Sequence, residues 1–165
     1  MKKKNLFKMV LLSVLALMTF LFVGCGPQAK TFTKHEMSIT LTDEFVEKTQ
    51  ISLTCYYESR DVIVTTVKEE FSLISGGASN TVSQYAEMVL SNNGMSGVDP
   101  TVTDDYAWFV YEKTVSGNDF SYLATCHKSG EAFWLIQFCT YTSEFEAKSA
   151  TFHSYAASVT FTVAE

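Results

Sequence analysis

Cys126 and His127 are the one cysteine and histidine adjacent in this chain, and a thiol beside an imidazole is the pairing that nucleophilic catalysis uses. The base must reach the sulfur within a hydrogen bond. In FSYLATCHKSG the two occupy consecutive positions of a predicted strand, so their side chains point to opposite faces and neither serves the other. Cys126 shares a face with Phe120, Tyr122 and Ala124, an apolar setting that raises a thiol pKa and makes it inert. His127 shares the other face with Leu123 and Thr125 close to a turn, where a hydrated ring is expected.

The other reactive residue types form no recognisable constellation. His35 and His153 lie far from each other and from His127, with no HExxH between any two, and no CxxC is present, so structural zinc is not expected. Acids occur as Asp43-Glu44, Glu69-Glu70 and Asp104-Asp105, but the alternating acidic loop that holds calcium is missing, and neighbouring acids read as solvated turns or strand edges. GxSxG, GxGxxG and GxxxxGK are likewise missing. The expectation is therefore no catalytic residue, no metal and no cofactor.

These residues sit in a chain of 165 whose N-terminal stretch has a different character. Lys2, Lys3, Lys4 and Lys8 precede an apolar run of 15 residues, 9–23, and small residues follow it, the three-part order of an export signal. A membrane-spanning helix needs about 20 apolar residues. Lys8 on one side, and Gly24, Gly26 and Pro27 on the other, prevent extension. Removing residues 1–24 leaves 141 residues, one ordinary domain, and takes away four lysines and no acid, so formal charge moves from −6 to −10. Such a charge argues against nucleic acid and against electrostatic docking on anionic lipid.

The junction Val23-Gly24-Cys25 after that run resembles the lipobox of bacterial lipoproteins, although Phe22 stands where the pattern usually has leucine. The resemblance implies cleavage after Gly24, lipid on Cys25 as the first mature residue, and an extracytoplasmic protein held at the cell membrane. Residues 26–31 read as a polar leash. Fully extended, ten residues reach about 34 Å, which keeps the domain and its partners near the membrane. With Cys25 lipidated, Cys55, Cys126 and Cys139 remain, an odd number read as buried free thiols. A two-residue turn at Ser129-Gly130 would set Lys128 opposite Glu131 and leave Cys126 and Cys139 too far offset to bridge, while a bond from Cys55 to either stays open.

The organisation expected is signal 1–24, lipidated cysteine and leash 25–35, and one domain 36–165. Residues 37–41 alternate as a strand; 51–58 and 62–70 form a hairpin about Ser59-Arg60-Asp61; 106–114, 120–128 and 132–141 form a meander. Thr81 with Gln84 caps a helix over 81–93, and Ser143 with Glu146 reads as a second capping box, opening a helix to about 158. Residues 160–163 end the chain as a short strand or tail. AFWLIQFCTY is apolar on both alternating faces, so it belongs to a sheet covered on both sides. The fold class is α+β, an antiparallel sheet with a helix over each face. Cystatin-like and NTF2-like sheets are the alternatives, and both normally lead with a helix.

The order of SNTVSQYAEMVLSN, DYAWFVYEK, FSYLATCHKSG, AFWLIQF and a helix ending in SVTF resembles the Mog1/PsbP-like fold, shared by small bacterial lipoproteins of the PsbP or DcrB type. The resemblance implies an α/β/α sandwich with a non-enzymatic role in binding or assembly near a membrane, through an unidentified protein or small-ligand partner. A small membrane-tethered enzyme and an inhibitor or immunity-type lipoprotein are the rival readings. Tyrosines are frequent, and Tyr56 and Tyr57, being neighbours on a strand, must face opposite ways. Those that reach a sheet edge would favour a partner surface.

Overall fold

A computed structural model describes residues 26–95 and 97–162; the expected signal, Gly24 and Cys25 lie outside them, as does Val163. In chain order the elements are β1 (Ala29–Lys34), β2 (Met37–Thr42), β3 (Val46–Lys48), β4 (Cys55–Glu58), β5 (Ile63–Glu70), two single 3-10 turns (Phe71–Leu73 and Gly77–Ser79), α1 (Val82–Asn92), β6 (Thr101–Val102), β7 (Ala107–Val115), β8 (Asn118–Lys128), β9 (Ala132–Tyr141), α2 (Thr142–Ala157) and β10 (Thr160–Phe161). All pairings among the described residues are antiparallel. They build a long sheet in the order β3-β4-β5-β9-β8-β7-β6 and a second, three-stranded one in the order β1-β2-β10.

The second sheet corrects the expectation of a single one. Residues 29–34, which fall within the expected leash, pair along their whole length with β2 from Ala29 opposite Thr42 to Lys34 opposite Met37. Their polar side chains alternate outward while Phe32 packs inward against Tyr57, with ring centroids 4.9 Å apart. β1 thus starts four residues after Cys25.

β9 runs through the middle of the long sheet, and its two faces belong to two hydrophobic clusters. Trp134, Ile136 and Phe138 join Leu123, Phe152 and Ala156 of α2, and Met37, Ile39 and Leu41 of the small sheet. Phe133 joins Ala107, Phe109, Ala124 and Cys126, with Tyr85, Ala86, Val89 and Leu90 of α1. Trp134, Phe133 and Phe138 are fully buried, each contributing roughly 2–3 kcal/mol from removal of apolar surface from water.

α1 starts as its sequence requires. The Thr81 hydroxyl accepts from the Gln84 N–H, and the Gln84 side chain accepts from the Thr81 N–H, closing the capping box. α2 does not use Ser143 and Glu146 in that way. β9 runs directly into it, Tyr141 is the cap residue and no side chain caps the end. The helix is held at its other end, where the Ser158 hydroxyl accepts from the Thr40 N–H at 2.9 Å and donates to the Tyr155 carbonyl at 2.7 Å. The expected strand over 51–58 is shorter than its apolar content suggests: Ile51 is fully exposed in a turn and pairing begins at Cys55.

Candidate functional site

The reactive side chains are shut away. Cys55, Cys126 and Cys139 are free and buried. Burial pushes the Cys126 thiol up to about 12. Across the strand, His127 is not hydrated as expected: it is 3% exposed, stacked on Tyr106 at 5.1 Å and hydrogen-bonded through Nε2 to the Thr125 hydroxyl at 3.1 Å. Tyr106, just before β7, and Phe161 of β10 both reach its ring, contacts too distant in the chain for a local pattern to signal. Burial pushes this imidazole down to about 3, so it is neutral at physiological pH.

The β8–β9 turn also differs from expectation. Lys128 lies opposite Phe133 rather than Glu131, because the Ser129 N–H donates to the Ala132 carbonyl and the Ser129 hydroxyl accepts from the Ala132 N–H. The change is two residues, so every side chain keeps its face. Cys126 pairs with Leu135 and Cys139 with Tyr122, well out of register with each other.

Of the paired acids, Asp43 accepts from the Gln28 N–H at 2.9 Å, Glu69 accepts from the Tyr85 hydroxyl, and Asp104 and Asp105 are exposed. Among the described residues no three histidine, cysteine or acidic side chains converge in a way that could hold a metal.

What the fold displays is aromatic. α1 packs on β6, β7 and β8 near the Phe133 end of the long sheet. Towards the Tyr141 end of the same face, register places Tyr56, Thr65, Gln137, Cys139, Tyr141, Phe120, Tyr122 and Tyr111 side by side. Cys139 is buried there, Tyr141 is 46% exposed and the others are half-buried. Tyr111 stacks on Tyr122 with centroids 4.7 Å apart and planes 5° from parallel, and Phe120 stacks on Tyr141 at 4.9 Å.

Polar contacts tie this face together. The Gln137 amide donates to the Tyr111 hydroxyl at 2.7 Å, the Thr65 hydroxyl donates to the Gln137 carbonyl oxygen at 3.2 Å, and the Tyr56 hydroxyl donates to Glu58 at 3.3 Å. Desolvation raises the phenol pKa of Tyr56, Tyr122 and Tyr111, the last to about 12. All three are neutral hydrogen-bonding groups at physiological pH, suited to recognition and unsuited to proton transfer. At the end of the face a pocket of about 170 Å³ is bounded by Phe120, Tyr141 and the β4–β5 turn, which carries Arg60.

The sequence separated Tyr56 from Tyr57 but did not tell which would be displayed; Tyr57 is the buried one. One signal was available: Gln137 is a polar residue in the middle of an otherwise apolar strand face, where a fully covered sheet would place an aliphatic side chain.

The fold is similar to those of solved structures. CyanoP, the cyanobacterial PsbP of Synechocystis sp. PCC 6803, superposes with a TM-score of 0.56 at 14% identity, over 86% of this chain and 96% of that one. Mog1p, a Ran-binding protein of Saccharomyces cerevisiae, superposes with a TM-score of 0.53 at 7% identity, over 82% and 96%. The fold is Mog1/PsbP-like. A protein of Bacteroides thetaiotaomicron matches with a TM-score of 0.55 at 11% identity, and this chain spans about half of it, 82% of this chain covering 49% of that one. No family model matches the chain, and no curated protein matches it in sequence. At these identities the likeness to CyanoP and Mog1p is one of fold, and it agrees with the resemblance carried by the aromatic strand segments.

Proposed function

We propose that this chain is a lipid-anchored, non-catalytic binding or assembly factor at the outer face of the cytoplasmic membrane. In this reading it is cleaved after Gly24, carries its lipid on Cys25, needs no metal or cofactor, and forms an α/β/α sandwich as a single α+β domain. Anchoring rests on the Val23-Gly24-Cys25 junction after a short apolar run. The binding role is carried by one observation: thiols and the Cys126-neighbouring imidazole lie in the core, while the partly uncovered face of the long sheet presents Tyr56, Tyr111, Tyr122, Phe120 and Tyr141. Aromatic side chains with a polar tip are the residues that protein interfaces favour. Mog1p, of the same fold, is a Ran-binding protein, a precedent for this scaffold as a binding module.

The anchoring half is tested by intact mass and membrane fractionation of the native protein and of Cys25→Ala. The expected result is a mature chain starting at Cys25 with a diacylglycerol thioether, and an unprocessed or released Cys25→Ala protein. A mature protein whose mass and membrane retention are unchanged by the substitution contradicts it.

A further inference from the structure

At the other end of β5 from the tyrosine face, Glu69 projects from the sheet opposite Phe133. It is held in place by Tyr85 of α1, a residue 2% exposed whose ring stacks on Phe133 at 4.5 Å and whose hydroxyl donates to one Glu69 carboxylate oxygen. The carboxylate lines a pocket of about 270 Å³ between the first 3-10 turn and α1, together with Leu73, Ile74, Met88, Val89 and Asn92. Leu73 is 79% exposed, and the lining sets Leu73, Ile74, Met88 and Val89 beside the polar Ser75 and Asn92.

A carboxylate drawn partly out of water gains from a cationic partner. The five ion pairs among the described residues use Glu36, Glu47, Glu58, Asp61 and Glu144, not Glu69. Lys128, on the same sheet face, has its ammonium committed to the carbonyls of Ala78 and Asn80 at 2.7 and 2.8 Å. One hydrogen bond from a phenol leaves a carboxylate with capacity for several more.

We propose that this pocket takes the ammonium or guanidinium group of a lysine or arginine side chain from a partner protein. Glu69 is the charge partner, and Leu73, Ile74 and Met88 pack along the aliphatic stem. The match is of both kinds: long basic side chains bury an apolar stem beneath a charged head, as the pocket requires. The whole chain carries −6 and would attract a basic partner. The site is separate from the tyrosine face, about 13 Å along β5 from Thr65, and does not depend on the lipid anchor.

The test is a methyl NMR titration of the full-length chain in neutral detergent micelles with Nα-acetyl-lysine methylamide, its norleucine analogue and n-hexylammonium. The lysine probe should saturate shifts of the Leu73, Ile74, Met88 and Val89 methyls at millimolar concentration. The norleucine analogue should bind at least about fivefold more weakly, and Glu69→Gln, which keeps an acceptor for Tyr85, should weaken the lysine probe by a similar factor. Leu73→Ala, at an exposed position, should weaken it about twofold without changing the fold, and remains informative if Glu69→Gln does not fold. Equal binding of the two peptide analogues, affinity unmoved by Glu69→Gln, or shifts spread over the surface would overturn the proposal. Saturation by n-hexylammonium but not by the lysine probe would overturn the assignment to a protein side chain.

Discussion

Cys126 and His127 occupy consecutive positions of β8 and are sealed into different clusters, the thiol with Phe133 on the α1 side and the imidazole against Tyr106 on the other. The relationship removes the most reactive-looking pair in the chain from chemistry. Cys126 should resist iodoacetamide in the native protein at neutral pH and react fully in denaturant. Cys139, 6% exposed and paired with Tyr122, should react ahead of Cys126, faster still after Tyr122→Ala. Rapid native labelling of Cys126 that His127→Ala abolishes would show that the two communicate.

The buried imidazole also makes stability depend on pH. Its pKa is about 3 in the fold against 6.5 for a free ring, so between those values the unfolded chain binds the extra proton. The contribution is complete above pH 6.5 and is lost as pH falls toward 3, with a slope near 1.4 kcal/mol per pH unit. His153, also held low by burial, adds in the same direction. Glu58, held low first by its hydrogen bond from Lys48, begins to lose its contribution about one pH unit above its ordinary value of 4.5 and loses it as pH falls further. Urea unfolding between about pH 6.5 and 5.5 therefore reports mainly on the histidines, and His127→Leu should flatten that slope.

β1 should matter to stability although most of it is polar. A chain beginning at Glu36 lacks β1, uncovers Tyr57 and leaves β2 with a free edge. It should unfold at lower urea than a chain beginning at Gly26, and Phe32→Ala alone should cost about 3 kcal/mol. Equal midpoints for the two chains would mean that β1 contributes nothing.

At α1, Thr81→Ala should cost about 1 kcal/mol, because it removes the acceptor for the Gln84 N–H. Ser143→Ala should cost less than a few tenths, since no side chain caps α2. Thermal melts of the two variants separate a cap that is used from one that only has the right spelling.

The legible parts of this fold are those where local pattern and burial agree. Ala132–Tyr141 is a strand along its whole length because both alternating faces are mostly apolar, with Trp134, Ile136 and Phe138 on one and Phe133, Leu135 and Cys139 on the other. Thr81 with Gln84 works as written because Thr81 enters α1 from an extended backbone that sets its hydroxyl on the Gln84 N–H. The same spelling at Ser143 and Glu146 fails where β9 leads straight into α2. β1 carries no local signal because a strand lying over a core edge needs one buried side chain, Phe32, and none of the alternation that marks a central strand. The burial of His127 and the hold of Tyr85 on Glu69 depend on residues 21 and 16 positions away, which topology, and not spacing, brings together.

The displayed tyrosines are the centre of the functional account, and site-specific photo-crosslinking in intact membranes tests it most directly. p-Benzoylphenylalanine placed at Tyr56 or Tyr141 should form one discrete adduct of the same partner mass, and Ser154, exposed on α2, should form none. The adduct from Tyr141 should disappear when Tyr56 is replaced by Ala, because both positions belong to one face. An adduct from Ser154 with none from Tyr56 or Tyr141 would contradict the account.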